Sequence, residues 1–273
     1  MEFLTDPWNW WIVPFADNTF MRDALVAALL TVLTTSVVGT WVVLRGMSFL
    51  GDALAHGVLP GIAIAFIIGV DTSIGALVAA GAMVLGIAAI RRHSPLPEDT
   101  SIGVLFVGFL ALAVVIMSTR QASYVGDLNR FLFGSITGVD DADLARQAIA
   151  AAIAVGGVIV LYRALLVMTF DVTLAQMLGL RPGLTQAALL VLVAISIGAS
   201  FQSVGNLLVF AFLVAPPAAA SLVARRVPMI MVVSIGFGTA AAVVGILISY
   251  HHDSATSATM ALCSVVLFFV VLT

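Results

Sequence analysis

The chain has 273 residues, 62% of them hydrophobic and 9% charged, with a formal net charge of −3. Soluble domains have roughly a quarter of their residues charged, so this composition excludes a soluble globular protein. The eleven basic residues are all arginine and form no basic patch, which argues against nucleic acid as a partner, and the single cysteine, Cys263, excludes an internal disulfide.

The N-terminal segment, residues 1–22, is rich in tryptophan and carries no basic region of the kind that begins a cleavable signal peptide. Tryptophan favours the headgroup level of a bilayer. We therefore expect this segment to lie at the outer membrane interface, in contact with lipid.

Nine apolar segments follow, each bounded by charge, glycine or proline. About 20 apolar residues span the roughly 30 Å hydrocarbon core, and lipid offers the backbone no hydrogen-bond partners, so each segment is predicted to be a helix. Pro60 and Pro216-Pro217 make the second and seventh segments candidates for broken helices. We predict an all-α polytopic membrane protein with 8–9 transmembrane helices in one bundle, a single domain over residues 1–273. The segments are 23–44, 48–69, 72–90, 101–119, 145–168, 183–200, 204–224, 228–249 and 255–273.

The arginines predict the orientation, because short cytoplasmic loops carry an excess of basic residues. If all nine segments span, seven arginines fall on one side and four on the other. The larger group then lies in the cytoplasm, and the N-terminus lies outside. The cytoplasmic group is Arg45, Arg91, Arg92, Arg163, Arg181, Arg225 and Arg226, and the outer group is Arg22, Arg120, Arg130 and Arg146.

Two connections are longer than turns. Residues 120–144 place apolar side chains at helical spacing among charges, which predicts an amphipathic helix on the outer surface. Residues 169–182 predict a short cytoplasmic helix. Asp171 is placed to cap that helix, Gly179 to end it and Pro182 to begin the next span.

Asp52 and His56 are the most informative ionisable residues. They are four residues apart and share one helical face, and they lie 7 and 11 residues past Arg45, roughly 10 and 16 Å along a helix. An ionisable residue at that depth is costly and is a functional candidate. A carboxylate and an imidazole are good ligands for divalent transition metals. Alternatively, the two side chains bond to each other and pin helices together.

A second polar group, Tyr250-His251-His252-Asp253, ends the eighth apolar segment. His251, His252 and Asp253 are candidate metal ligands, although adjacent residues on a helix point about 100° apart. The alternative is that they are ordinary interfacial residues.

Several catalytic motifs are absent from the sequence. No lysine occurs anywhere, so a Walker A phosphate-binding loop is impossible, and no HExxH zinc-protease motif is present. We therefore expect no enzymatic activity in this chain, which acts as the membrane part of something larger.

Five stretches of the sequence carry a family resemblance. They are RGMSFLGDALAHGVLPGIAIAFIIG (45–69), LPEDTSIGVLFVGFLALAVVIMS (96–118), DLNRFLFGSITGV (127–139), FDVTLAQMLGLRP (170–182) and VGNLLVFAFLVAPPAAASLVARRVPMIM (204–231). In order and spacing they resemble the metal-ion permeases of ATP-binding-cassette importers, which take up zinc, manganese or iron. Residues 253–259 depart from the family, which usually has a Pro or Gly near the start of the last helix.

The resemblance implies a homodimer, or a pseudo-symmetric pair, in a bacterial cell membrane. Its cytoplasmic face would dock separate ATPase subunits, and an extracytoplasmic binding protein would deliver the metal. Asp52 and His56 match the family residues that line the translocation path, and 170–182 matches its coupling helix. The residues expected to couple to the ATPase are Asp171, Leu174, Ala175, Met177, Gly179 and Leu180.

The expected function is a permease for a divalent transition metal that binds no permanent cofactor. Two histidines and two aspartates, one pair from each copy, would make a compact four-ligand site, which favours zinc over manganese or iron. The alternatives are a manganese or iron importer of the same type, a proton-coupled transporter that uses Asp52 and His56 as a relay, and a membrane enzyme.

Overall fold

A computed structural model describes residues 7–93, 98–118 and 139–273, and within them every regular element is a helix. All nine predicted apolar segments are helical, which confirms the all-α fold. The helices are α1 Pro7–Trp11, α2 Val13–Asp17, α3 Thr19–Leu44, α4 Phe49–Gly57, α5 Leu59–Ile68, α6 Thr72–His93, α7 Glu98–Ser118, α8 Asp141–Phe170, α9 Val172–Met177, α10 Pro182–Val204, α11 Asn206–Val223, α12 Val227–His252 and α13 Thr256–Leu272.

Seven helices in the described ranges are long and apolar enough to cross a membrane, α4 and α5 counting as one span, Phe49–Ile68. Two shorter apolar stretches, Ile74–Ile90 and Thr256–Leu272, complete the set. Each has 17 residues, the short end of the length that crosses a hydrocarbon core. The chain is therefore a polytopic membrane protein.

Of the two candidates for broken helices, the segment with Pro60 is interrupted and the segment with Pro216 and Pro217 is not. Val58 separates α4 from α5 with φ −79° and ψ −18°, which are still helical angles, so the span continues in nearly the same direction. Pro60 lies in the first turn of α5, where a missing N–H costs nothing. Pro216 and Pro217 instead lie buried inside the continuous helix α11.

The helix α3 forms the centre of the bundle and packs against α8, α10, α11 and α12. It is buried along most of its length, so its hydroxyl groups need partners inside the protein. Thr31 and Thr40 donate to the carbonyl oxygens of Ala27 and Ser36, at 2.9 and 2.7 Å. These bonds along the helix allow polar side chains in a dry interior.

The outer connection predicted over 120–144 lies largely outside the described residues. Its last part is visible, where the Asp140 carboxylate accepts a hydrogen bond from the Asp143 N–H at 2.7 Å and caps α8. The fifth span therefore begins at Asp141, four residues earlier than the pattern indicates. At the N-terminus, α1 and α2 precede α3, and their interfacial location stays a prediction.

The short helix predicted over 169–182 is present as α9. Asp171 caps it, because its carboxylate accepts a hydrogen bond from the Leu174 N–H at 2.9 Å. Gly179 follows the helix with φ +73°, a left-handed conformation that favours glycine. Pro182 begins α10. The predicted helix cap at Asp171, helix end at Gly179 and start of the next helix at Pro182 are all observed. The cytoplasmic location and the coupling role stay predictions.

Candidate functional site

Asp52 and His56 lie on α4, in its first and last turns. The Nε2 atom of His56 is 3.5 Å from the Oδ1 atom of Asp52, and the two side chains are 26% and 31% exposed. Because α4 begins only at Phe49, after a turn, His56 lies about 10 Å along the Phe49–Ile68 span. It is therefore shallower than the distance from Arg45 indicates.

Aromatic side chains surround the pair on one side. The ring of Phe106, on α7, meets the His56 ring edge to face at a centroid distance of 5.8 Å. Phe106 also meets the ring of Phe49 in the same way, at 5.4 Å. The His56 imidazole is therefore oriented by apolar contacts from a neighbouring helix.

In the part of the chain that the structure describes, the polar atoms of the pair do not join two helices. Within the described residues, Nδ1 of His56 is buried without a hydrogen-bond partner, and the Asp52–His56 contact stays within α4. A buried polar atom without a partner costs free energy. The alternative in which this pair pins two helices together therefore loses support, because a pinning pair would bond across an interface.

The geometry suits capture of a cation. Two ligand atoms bound to one ion at about 2.0–2.2 Å lie about 3–3.5 Å apart, close to the separation of Asp52 Oδ1 and His56 Nε2. Within the described residues no third His, Cys, Asp or Glu joins this pair, because they contain no cluster of three or more such side chains. A cation held here would need further ligands beyond this pair, for which water and another chain are candidates.

The second candidate group does not converge. The ring of His251 stacks on Trp10 at 4.5 Å, and its Nε2 atom lies 3.3 Å from the Trp10 carbonyl oxygen. His252 instead bonds its own helix, with Nδ1 3.1 Å from the carbonyl oxygen of Ile248. Asp253 ends α12 in the left-handed region, with φ +49°. His251, His252 and Asp253 are thus directed to different partners.

The departure from the family pattern at 253–259 is a turn closed by hydroxyl groups. Ser249 Oγ lies 2.6 Å from the Ser254 carbonyl oxygen and 2.8 Å from Thr256 Oγ1. Ser254 Oγ lies 2.9 Å from Thr259 Oγ1. These bonds satisfy backbone and side-chain groups between α12 and α13, so the turn needs neither Pro nor Gly.

The residues expected to couple to the ATPase differ in their exposure. Leu174 and Met177 are 45% and 81% exposed and form an exposed apolar face of α9, and Phe170, the last residue of α8, and Leu178, the residue after α9, are exposed as well. Ala175 is 0% exposed and belongs to the chain's own core. Ala175 therefore lies beneath that face, and Asp171 and Gly179 shape the ends of the helix, while Leu180 packs partly against the core.

Phe170 and Leu178 are functional candidates that the sequence pattern did not single out. Their signal is the presence of large apolar residues at the two ends of a short connection, with Phe170 just before the cap Asp171 and Leu178 just after α9. Such residues are unexpected in a solvated loop unless another protein covers them.

A family model for the ABC 3 transport family matches residues 17–273. The chain belongs to this family. The match includes every helix from α3 to α13 and therefore the whole site around Asp52 and His56.

Curated relatives cover nearly the whole chain. The manganese transport system membrane protein MntC of Listeria monocytogenes is 33% identical over 252 residues, 92% of this chain and 89% of that protein. A probable iron transport system membrane protein of Haemophilus influenzae is 31% identical and covers 96% of each chain. As a member of this family with multiple apolar helices, the chain is a multi-pass protein of the cell membrane.

A solved structure shares the fold. PsaBC from Streptococcus pneumoniae, solved in complex with a Fab, matches with a TM-score of 0.84 and 32% identity, covering 96% of this chain and 94% of that chain. The arrangement of helices in this chain is therefore shared with that solved structure.

Proposed function

We propose that this chain is the transmembrane permease subunit of an ATP-binding-cassette importer for manganese. The observation that carries the proposal is the Asp52–His56 pair. It is partly exposed inside a membrane span, it makes no hydrogen bond to another helix in the described residues, and its spacing suits one cation. An ionisable pair placed this way marks an ion pathway.

Manganese replaces zinc as the preferred substrate. The ligand types of Asp52 and His56 by themselves favour zinc, but these relatives are named for manganese and iron. Carboxylate and water oxygens suit manganese, and the Asp52 carboxylate offers two oxygens to it. Iron is the second candidate, favoured by the Haemophilus influenzae relative.

The energy for transport comes from a partner. The chain contains no lysine and so has no Walker A loop, although its family is named for ATP-binding-cassette transport. Separate ATPase subunits would contact the exposed apolar face of α9. Family membership also disfavours the proton-coupled alternative, which needs no ATPase.

A second copy of this chain would complete the site. One chain supplies two ligands, whereas transition metals bind four to six. A two-fold axis beside α4 would bring two further ligands, from Asp52 and His56 of the other copy, to the same ion. An extracytoplasmic binding protein would deliver the ion to the outer face.

Reconstitution tests the proposal. The complex of this chain with its ATPase subunits and binding protein is placed in vesicles, and the uptake of Mn²⁺, Fe²⁺ and Zn²⁺ is measured separately with and without ATP. Manganese uptake that requires ATP is expected. Uptake that persists without ATP and follows a proton gradient would contradict the ATP-driven mechanism, and uptake of zinc alone would contradict the assignment of manganese.

A further inference from the structure

Arg45 lies where both ends of the α9 connection meet the turn before α4. Its Nη1 atom donates a hydrogen bond to the side-chain oxygen of Gln186 and lies 3.8 Å from the sulfur of Met168. Met168 precedes the cap Asp171 by three residues, and Gln186 follows the first residue of α10, Pro182, by four. One guanidinium group therefore contacts the chain on both sides of α9.

The same contacts extend into the turn that leads to α4. The side-chain nitrogen of Gln186 donates to the sulfur of Met47 at 3.3 Å, and Gln186 is only 3% exposed. The carbonyl oxygen of Met47 accepts a hydrogen bond from the Leu50 N–H at 2.9 Å. Gly46 makes the turn possible with φ +68°. The connection from Gln186 to the first turn of α4 is thus continuous.

Apolar packing reinforces these polar contacts. Met47, Leu50, Met168 and Ala175 are all buried and belong to one core cluster. Protein interiors are packed as densely as organic crystals and transmit displacement rather than absorbing it. A shift of α9 would therefore be passed to α4 through these buried side chains.

We infer that Arg45 and Gln186 are positioning residues that tie α9 to the helix carrying Asp52 and His56, so that these parts move as one unit. The inference rests on the proposed function, in which an ATPase subunit acts on α9. Arg45 and Gln186 act through α4 and are not ligands of the ion. A charged donor suits this role, because hydrogen bonds to charged groups are stronger than those between neutral groups.

The test measures manganese uptake and ATP hydrolysis in the same vesicles, with the complete complex. Gln186→Leu removes both polar atoms and keeps a similar volume. The uptake per ATP hydrolysed is expected to fall about ten-fold, the factor that a hydrogen bond to a charged group typically contributes. Gln186→Glu keeps an acceptor for Arg45 and should restore most of the ratio. The control is Thr185→Val, which removes a hydroxyl that donates locally to the carbonyl oxygen of Arg181, the residue before α10, at 3.2 Å.

A covalent bridge keeps the inference testable if Gln186→Leu assembles poorly. Met47→Cys and Met168→Cys, combined in a Cys263→Ser chain, are joined by a short bifunctional thiol reagent. Bridging should preserve the coupled uptake that the same double-cysteine chain shows before it is bridged. Loss of uptake on bridging, or an unchanged ratio in Gln186→Leu, would overturn the inference. Absence of manganese uptake by the unsubstituted complex would instead overturn the proposed function.

Discussion

Gly61 and Gly75 face each other across the contact between α5 and α6, and neither has room for a methyl group. A Cβ atom added at either glycine would overlap the carbonyl oxygen of the other. It would also lie 2.6 Å from the Cβ of Ala79 or Ala65. The two backbones therefore approach as closely as small residues allow, which is how membrane helices gain packing contacts.

Substitution of Gly75 by alanine should separate these helices. We expect Gly75→Ala to lower the free energy of unfolding by about 1–3 kcal/mol, the usual cost of overpacking. Gly81→Ala on the same helix is the matched control, because a Cβ there meets nothing within 4 Å. Alanine has the higher helix propensity, so the control should keep or raise the midpoint of thermal unfolding in detergent. An unchanged midpoint for Gly75→Ala would contradict the close contact.

The ligand role of Asp52 and His56 predicts a selective loss of transport. The double variant Asp52→Asn with His56→Gln retains hydrogen-bonding groups of similar size and loses the best metal ligands. Manganese uptake should fall by about 100-fold or more, since even outer-shell changes cost about 10- to 100-fold in metal affinity. The amount of assembled complex should not change. The control is His93→Gln, at the far end of α6. Normal uptake by the double variant at normal expression would exclude a ligand role.

The exposed face of α9 predicts where the ATPase subunit binds. Met177→Glu places a charge in a contact that should become dry, so the stimulation of ATP hydrolysis and the uptake should both fall about ten-fold. Met229→Glu is the matched control, since Met229 is an exposed methionine on the first turn of α12. Copurification of the ATPase with each variant measures binding directly. Equal effects of the two substitutions would place the contact elsewhere.

Substitution of Ala175 is expected to impair folding rather than binding of the ATPase. Because its side chain is buried in the chain's own core, Ala175→Asp should place an unpaired charge in an apolar interior. The expected result is loss of folded protein, measured as monodisperse material after solubilisation, even when no ATPase is expressed. A well-folded Ala175→Asp chain that only fails to bind the ATPase would place Ala175 in the interface.

Membrane orientation is tested by labelling single cysteines in a Cys263→Ser background. Thr173→Cys on α9 should resist a membrane-impermeant thiol reagent in intact cells, since the arginine distribution puts this connection in the cytoplasm. Ser254→Cys, in the turn after α12, should react, and both should react after permeabilisation. Both side chains are exposed. Labelling of Thr173→Cys in intact cells would reverse the topology.

The sequence alone determined the features that depend on neighbouring residues. The length of the apolar runs predicted the nine helices, because a backbone segment in lipid must form its hydrogen bonds within itself. The cap at Asp171 and the stop at Gly179 were readable because these motifs span only a few residues. The four-residue spacing of Asp52 and His56 placed them on one face for the same reason.

Only the tertiary structure decided which residues meet across long separations. Arg45 and Gln186 are 141 residues apart in the chain, and nothing local in either segment indicates their hydrogen bond. The burial of Ala175 beside an exposed Met177 depends in the same way on how the helices pack. So does the stacking of His251 on Trp10. Most spans carry apolar residues on all sides, so hydropathy identifies a helix without indicating which face meets protein and which meets lipid.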